Sequence, residues 1–185
     1  YPWIGGAEKL AQRLAEKLIE RGIDVRVVTG WWFWGTPREE VINDVPVFRN
    51  FTLWTMFGTR GLRKFSAYLY MVTLAWYLFR HRAEYDLIHA QLINYHAFVA
   101  VLVGKWLGKT VIITNQTSGQ FGDIRKMMEN WFIPGTSLMW PKVRRSDSAV
   151  AVNHQCAQEM VDAGFPAERI VYIPNGVDVD GVESK

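Results

Sequence analysis

Cysteine is nearly absent from this sequence, since Cys156 is the only one in 185 residues. A single cysteine excludes an intramolecular disulfide and a cysteine-based zinc cluster, and it fits a reducing compartment. The four histidines lack the spacing of metal ligands, so no metal is expected. No signal peptide is present either, and we expect a cytoplasmic protein.

Two nucleotide-binding fingerprints are missing as well. Neither the G-x-G-x-x-G pattern of dinucleotide-binding folds nor the G-x-x-x-x-G-K-S/T pattern of P-loop proteins occurs in the sequence. Their absence argues against an NAD-dependent enzyme, such as an epimerase, and against a P-loop kinase. The net charge of +3 is too small an excess to indicate a dedicated nucleic-acid binder, so no nucleic-acid partner is expected.

No apolar run is long enough to cross a bilayer, but one segment raises the question of a membrane surface. The uncharged stretch Phe65–Phe79 is shorter than the roughly 20 residues that a bilayer requires. Basic and aromatic residues precede it, among them Trp54, Arg60, Arg63 and Lys64. This pattern predicts an interfacial helix on anionic lipid, contacted by those four residues. A core helix with basic ends is the alternative, and the apolar middle of the segment supports it.

Aromatic residues, by contrast, are abundant, with nine tryptophans in the chain. The aromatic cluster WWFW, Trp31–Trp34, falls in a predicted loop. Exposed aromatic residues indicate a contact surface, so this cluster adds weight to the membrane prediction.

Short apolar runs alternate with helical patterns along the chain. Such runs are typical of strands buried on both faces of a parallel sheet, and their alternation with helices predicts right-handed crossovers. We therefore expect an α/β fold, Rossmann-like and doubly wound, with a mainly parallel sheet. The predicted strands are Asp24–Gly30, Val45–Phe51, Tyr85–Ala90, Thr110–Thr114, Ser148–Asn153 and Arg169–Pro174. The predicted helices are Ala7–Arg21, Leu62–Arg82, Tyr95–Leu107, Ile124–Phe132 and Gln155–Ala163.

The chain opens on YPWIGGAEKLAQRL, which places a Gly5-Gly6 turn before the first predicted helix. Glycines permit close approach of a ligand to the backbone, and the amides of a helix N-terminus attract phosphate, so the turn predicts an anion site. A plain turn is the alternative. In an α/β domain such a turn follows a buried strand, and we expect that first strand upstream in the parent protein.

Ligands of an open α/β sheet bind beyond the carboxyl ends of its strands. The polar segment TNQTSGQFGD follows a predicted strand directly, and its residues Asn115, Gln116, Ser118 and Gly119 suit a polyhydroxylated ligand. An ordinary surface loop is the alternative. His89 ends another strand, where it is either a general base or orienting partner, or a buried histidine satisfied within the sheet.

Four motifs resemble the N-terminal half of a GT-B glycosyltransferase of glycosyltransferase family four. They are GGAEKLAQRLAEKLIERGIDVRVVTG, YDLIHAQ, the SGQFGD loop and AVAVNHQCAQEMVDAGFPAERIVYIPNGVD. They follow the family's order over nearly the whole chain, and IPNGVD, as the hinge into a second domain, is the strongest. The resemblance implies transfer of a sugar from a nucleotide diphosphate sugar to a glycan or lipid-linked acceptor, with retention and without a metal.

The resemblance also implies roles for single residues. Gly5 and Gly6 would contact the donor diphosphate. The family's H-x-H motif reads HAQ here, so His89 and Gln91 are expected at the reacting sugar. A glutamine hydrogen-bonds a sugar hydroxyl but cannot titrate. Asn153 replaces a frequent serine and joins the polar loop as an acceptor-binding residue.

The resemblance places a Rossmann-like acceptor-binding domain over residues 1–174 and the start of an interdomain linker at 175–185. The C-terminal domain, which carries the nucleotide site and an E-x7-E motif in the family, is not in the sequence, so we expect it in the parent protein. A standalone, non-catalytic module that binds a glycan or a lipid-linked sugar is the alternative. The length of the parent reading frame discriminates between the two.

Overall fold

The computed structural model describes residues 5–53 and 60–176, and only the backbone of Arg60, Gly61 and Arg63. Helices and strands alternate along this part of the chain. The helices are α1 (Gly6–Glu20), α2 (Arg60–Arg80), α3 (Tyr95–Leu107), α4 (Asp123–Met128), α5 (Trp140–Val143) and α6 (His154–Asp162). The strands are β1 (Val27–Trp31), β2 (Glu39–Ile42), β3 (Val45–Phe51), β4 (Leu87–Gln91), β5 (Thr110–Asn115), β6 (Ser148–Ala151) and β7 (Ile170–Tyr172). Short 3-10 turns cover Gly119–Phe121, Thr136–Met139 and Ala167–Arg169.

The strands form two sheets. β4, β5, β6 and β7 make a fully parallel sheet in that order, and β1 pairs in parallel with β3. Among the described strands, only β2 runs antiparallel to its neighbour, β3. The predicted α/β fold with a mainly parallel, Rossmann-like sheet is confirmed.

β2 has no counterpart among the predicted strands. It carries Glu39 and Glu40, so it lacks the apolar run that marks the buried strands. β2 and β3 form a hairpin that turns at Asn43 and Asp44, whose φ angles of 48° and 63° are typical of a type I′ turn. That turn favours asparagine and aspartate, so the sequence does contain a local signal for the hairpin.

β1 and β4 are edge strands in the described part of the chain. β1 pairs with β3 alone, and β4 pairs with β5 alone. Val28 of β1 and Ile88 of β4 nevertheless pack against the same hydrophobic cluster, which is centred on α2 and α3. The additional strand that the sequence predicts upstream of Gly5 stays a prediction.

The hydrophobic interior consists of two clusters that touch. The larger one lies between the parallel sheet and helices α3 to α6. The smaller one joins α2 to α3 through side chains such as Tyr70, Leu74 and Tyr77. Ile88 and Phe98 pack against both clusters, so the interior is continuous from one sheet to the other.

Helix α3 lies close to the sheet because position 104 is a glycine. A Cβ atom at Gly104 would collide with the Cγ2 methyl group of Val111 on β5. The helix begins at Asn94, whose side chain accepts a hydrogen bond from the Tyr95 amide at 2.7 Å. It ends at Gly108, where a φ of 68° suits glycine. The N-terminal end of α3 is thereby fixed next to the cleft described below.

Helix α2 has one buried and one exposed face. Leu74 and Tyr77 are buried, whereas Val72 and Trp76 are 66% and 65% exposed. Within residues 5–53 and 60–176, no helix combines the length and apolar character needed to cross a membrane. The sequence left a core helix and an interfacial helix as alternatives for this segment. The buried face of α2 fits a core helix, and its exposed apolar face fits an interfacial helix. Contact with lipid stays a prediction.

Candidate active site

A cleft of about 630 Å³ opens at the carboxyl ends of β4 and β5. It is lined by the start of α1, the turn after β4, the loop after β5 and the short stretch at Asn175 and Gly176. This is the edge of the sheet at which open α/β folds bind their ligands. The cleft brings the Gly5-Gly6 turn into one cavity with Gln116.

Strand β4 presents His89 and Gln91 on the same face, because side chains alternate along a strand. His89 Nε2 lies 2.7 Å from Thr114 Oγ1 and 3.2 Å from Gln91 Nε2. Burial lowers the pKa of His89 below its usual value, so the ring is neutral at neutral pH. Among the described residues, those that line the cleft include neither His89 nor Gln91. The predicted catalytic roles of both stay predictions.

Gln116 connects this pair to the cleft. Its Nε2 donates to Gln91 Oε1 at 2.6 Å, and its backbone N–H donates to Asp123 Oδ2 at 3.2 Å. Thr117 Oγ1 donates to the other carboxylate oxygen of Asp123 at 2.6 Å. Hydrogen bonds therefore connect His89 on the sheet, through Gln91, to Gln116 on the cleft wall. The Asp123 carboxylate holds the loop after β5 in place.

Asp123 lines the cleft but was not predicted as a site residue. It ends the SGQFGD motif and starts α4, where an acidic residue is usually read as a helix-start signal. Lys126 and Phe132, which also line the cleft, lie in a segment that the apolar pattern predicted as helix. The sequence around these three residues therefore indicates a helix and contains no signal for a ligand-binding site.

His96, on α3, is fixed beneath the site. Its Nε2 donates to the Gln91 backbone carbonyl at 2.7 Å. Burial lowers the pKa of His96 despite the opposing effects of the Gln91 carbonyl and the Asp123 carboxylate. The neutral ring therefore holds the end of β4 in position.

Asn115 and Asn153 hold helix α6 against the sheet. Asn115 is fully buried, and its Nδ2 donates to the Cys156 carbonyl at 3.2 Å. Asn153 caps α6, accepting a hydrogen bond from the Cys156 amide at 2.7 Å. Both side chains thus have a structural partner, and their predicted contact with an acceptor stays a prediction.

Ser118 and Gly119 are held by α6 as well. The Gly119 amide donates to Glu159 Oε1 at 2.6 Å, and its φ of 74° suits glycine. The Ser118 hydroxyl lies beside the thiol of Cys156, whose pKa burial raises. The loop after β5 is therefore held at two points, by Asp123 and by Glu159. Acceptor binding by Ser118 and Gly119 stays a prediction.

The Gly5-Gly6 turn caps α1 with an extended backbone at Gly5, where φ is −110° and ψ is 159°. The Glu8 carboxylate folds back against Gly5, into the space that a Cβ atom would occupy. A negative group is favoured there by the partial positive charge of the helix N-terminus. Apart from its chain neighbours and the backbone of its own helix, no atom of the described residues lies within 4 Å of a Cβ atom built on Gly6, so these residues leave that side open.

The charges of the cleft wall are mixed. Lys9, Arg13 and Lys126 line it together with Glu8 and Asp123. At their formal charges these three cations and two carboxylates give the cleft wall a net charge of +1, which favours an anionic ligand. Within the described residues, no three His, Cys, Asp or Glu side chains are grouped so as to hold a metal ion.

Large apolar side chains are exposed at the mouth of the cleft. Phe132 lines it, and Trp131, its neighbour in the chain, is 53% exposed. Phe121 packs edge-on against Trp131 with ring centres 6.0 Å apart. These exposed rings form an apolar border beside the charged and amide side chains of the cleft.

Residues 4–180 match the family model Glycosyltransferase Family 4. The chain belongs to this family. HepE of Anabaena, whose structure was solved in complex with UDP-glucose, has the same fold as this family 4 domain. The TM-score is 0.61, and the sequences are 15% identical over 97% of the chain. Sucrose-phosphate synthase of Thermosynechococcus elongatus gives a TM-score of 0.65 and 15% identity over 94% of the chain. No curated protein matches the chain.

The family 4 domain spans 43% of HepE and 43% of the synthase, which is less than half the length of either. At this identity the likeness shows the fold, which is that of the Rossmann-like half of a GT-B glycosyltransferase. The predicted family and fold are thereby confirmed. The boundary between residues 174 and 175 stays a prediction, since residues 177–185 lie outside the described part of the chain.

The four predicted membrane contacts of the family 4 domain are visible only in part. Trp54 lies outside the described residues, as do the side chains of Arg60 and Arg63. Lys64 is exposed on α2. Lipid contact by these residues stays a prediction.

Proposed function

We propose that this domain is the acceptor-binding half of a retaining glycosyltransferase, which transfers a sugar from a nucleotide diphosphate sugar to a glycan or lipid-linked acceptor. The observation that carries the proposal is the cleft, which joins the Gly5-Gly6 turn to Gln116 and Thr117 at the carboxyl edge of the sheet. Membership of Glycosyltransferase Family 4 and the UDP-glucose bound to HepE support a nucleotide sugar as the donor.

On the donor side, the amides of Gly5 and Gly6 receive the diphosphate. The N-terminus of α1 favours negative charge, and Lys9 and Arg13 add cationic side chains to the same wall of the cleft. These groups offset the charge of the diphosphate, and we propose that no metal is required. A C-terminal domain of the same protein holds the nucleotide from the other side of the cleft.

On the acceptor side, Gln116 and Thr117 contact sugar hydroxyls. Gln91 and His89 position Gln116 through the hydrogen bonds described above. In the transfer step the bond from sugar C1 to the diphosphate oxygen breaks, and the acceptor hydroxyl oxygen bonds to C1 on the same face. The hydroxyl proton passes to the departing diphosphate oxygen, which becomes more basic as its bond to C1 breaks.

The border of the cleft favours a lipid-linked acceptor over a free glycan. Phe121, Trp131 and Phe132 expose apolar surface next to a cavity whose wall carries the polar side chains of Gln116 and Thr117. An acceptor with a hydrophilic sugar and an apolar chain would cover both parts at once.

We also propose that the protein works on the cytoplasmic side of an anionic membrane, as a peripheral protein. The exposed apolar face of α2, with Val72 and Trp76, and the exposed cation Lys64 support this location.

Turnover by the full-length parent protein tests the proposal. UDP-glucose is the first donor to try, and release of the nucleoside diphosphate is measured with lipid-linked and free glycan acceptors. We expect acceptor-dependent release and a product that keeps the donor's anomeric configuration. A protein that binds glycans but never consumes a nucleotide sugar would instead be the non-catalytic module.

The variant Gln91→Ala is expected to lower kcat/KM about tenfold, because Gln116 loses a hydrogen-bond partner of about 1 to 1.5 kcal/mol. Gln158→Ala is the matched control, since Gln158 is exposed and bonds only within α6 among the described residues, to Asp162. Equal kinetics for the two variants would remove Gln91 from the site.

The variant Gly6→Ala addresses the donor side. Its Cβ atom meets open space, and alanine favours the helix, so the free energy of unfolding is expected to rise by about 0.5 kcal/mol. The same methyl group narrows the approach of the diphosphate, so the donor KM is expected to rise several-fold. A donor KM that stays unchanged would argue against contact at this turn.

A further inference from the structure

A second cavity, of about 620 Å³, lies at the opposite edge of the parallel sheet, near the starts of β6 and β7. The end of α3, helix α5 and the segments before β6 and β7 contribute to it. The described residues that line it include no carboxylate, and it is termed the basic cavity here for its cationic side chains: Lys105, Lys142, Arg144, Arg145 and Arg169. It shares no lining residue with the cleft.

Most of this positive charge has no counter-ion among the residues that the structure describes. Lys105 pairs with Asp147. Among the described residues, Lys142, Arg144 and Arg145 make no ion pair and donate no side-chain hydrogen bond, and all three are exposed. Cations held this close repel each other, and an anion bound among them relieves that repulsion.

An aromatic ridge, formed by Trp76, Phe79 and Trp106, lies on the outer surface of α2 and the end of α3. The rings of Phe79 and Trp106 stack with centres 5.4 Å apart, and Trp76 lies 6.4 Å from Phe79. Trp106 is 73% exposed. The Arg82 guanidinium lies 4.8 Å above the Phe79 ring, which adds a cation to the ridge.

Leu102 joins the two features. It lines the basic cavity and lies one helical turn before Trp106, on the same face of α3. The unpaired cations and the exposed tryptophans are therefore neighbours on one side of the molecule. Tryptophan beside lysine and arginine is the composition that favours a membrane–water interface. An acidic protein would complement the cations but would leave the ridge exposed to water.

We propose that the basic cavity binds the phosphate group of an anionic phospholipid while the aromatic ridge enters the interfacial layer of the membrane. Arg144 and Arg145 offer planar, forked donors that match phosphate oxygens. This assignment rests on the membrane association proposed above, and it does not depend on sugar transfer. It differs from the sequence-based prediction, which placed the contact at the start of α2.

Liposome flotation of the purified chain tests the assignment, with phosphatidylcholine vesicles that contain or lack phosphatidylglycerol. Flotation is expected only with the anionic lipid and is expected to weaken as salt is added. The variant Arg144→Gln/Arg145→Gln is expected to bind about thirtyfold more weakly, because each basic residue at an anionic surface contributes about fivefold. The variant Trp76→Ser/Trp106→Ser is expected to lose about tenfold, since both rings leave the interface.

Controls remove comparable groups elsewhere. Lys17→Gln/Arg21→Gln removes two exposed charges from the end of α1, and Val41→Ser removes an apolar side chain that is 68% exposed on β2. Circular dichroism and the thermal midpoint establish that every variant folds. A wild type that ignores anionic vesicles would overturn both the membrane association and this surface. A wild type that floats, with test and control variants losing equally, would overturn the surface alone and leave the proposed transfer reaction untouched.

Discussion

Gln91 carries an amide at the position where the resemblance predicted a second histidine, and its neighbours are matched to an amide. Its Oε1 accepts from Gln116, and its Nε2 lies within hydrogen-bonding distance of His89. One short side chain thus offers an acceptor and a donor without carrying charge. The connection between the sheet and the cleft wall is neutral at neutral pH, and the charged groups of the cleft lie at the start of α1, at Asp123 and at Lys126.

Acidification is expected to destabilise the fold through His89 and His96. Burial lowers the pKa of both rings, so the unfolded chain binds protons more readily than the folded chain. Their contribution to stability is complete above about pH 6.5, the usual pKa of histidine, and it is lost as the pH falls below that value. The slope is at most about 1.4 kcal/mol per pH unit for each histidine. Urea unfolding between about pH 8 and pH 5 measures it.

The variant His89→Gln separates this effect from the titration of carboxylates. Its amide group can take the place of His89 Nε2 beside Thr114 Oγ1, and it removes one titrating ring. The dependence of the unfolding free energy on pH is expected to become less steep below about pH 6.5. An identical dependence in the variant and the wild type would show that His89 does not contribute.

At the scale of elements, the strength of the local pattern decided what could be predicted. Helix α3 has the predicted bounds, because its apolar residues and its two caps agree. Helix α4 ends at Met128 rather than at Phe132, since Asn130 takes a left-handed φ of 57° that an apolar pattern does not reveal. The hairpin strand β2 was missed because its two glutamates, Glu39 and Glu40, interrupt any apolar run.

Replacing Gly104 tests how tightly α3 packs on β5. Alanine is the better helix former by about 1 kcal/mol. The new methyl group, however, meets the buried Val111 Cγ2 atom, and overpacking of this kind costs about 1 to 3 kcal/mol. Gly104→Ala is therefore expected to lower the free energy of unfolding, which urea denaturation measures.

Leu102→Ala serves as the control on the same helix. Leu102 is 48% exposed, so its loss is expected to change stability by less than about 0.5 kcal/mol. A Gly104→Ala variant that is more stable than the wild type would mean that Val111 on β5 shifts to accommodate the new methyl group.

At the scale of the whole molecule, the site could be predicted where one topological rule applies. The carboxyl ends of parallel strands meet at one edge, so the loop with Gln116 could be placed beside the Gly5-Gly6 turn. Asp123 and the basic cavity could not be placed in this way. The cavity combines charges from residues as distant in sequence as Lys105 and Arg169, and only the packed fold makes them neighbours.

The two sheets are expected to unfold together. Ile88 and Phe98 pack against both hydrophobic clusters, so loss of one cluster exposes side chains of the other. Cys156 is buried in the larger cluster, and its reaction with a thiol reagent during urea titration reports on that cluster. Tryptophan fluorescence follows the same titration and reports on both clusters, since Trp32 packs against the smaller one and Trp140 is buried in the larger one. The two curves are expected to coincide, whereas separate midpoints would indicate two independent units.

The edge strands β1 and β4 have a practical consequence for work with this chain alone. In the described part of the chain each pairs on one side only, which leaves backbone donors and acceptors along its other side. Such an edge is a template on which a second polypeptide can add a strand. Self-association through β1 or β4 is therefore the first explanation to test when a preparation precipitates, and a lysine placed on the free side of either strand is the remedy that this geometry suggests.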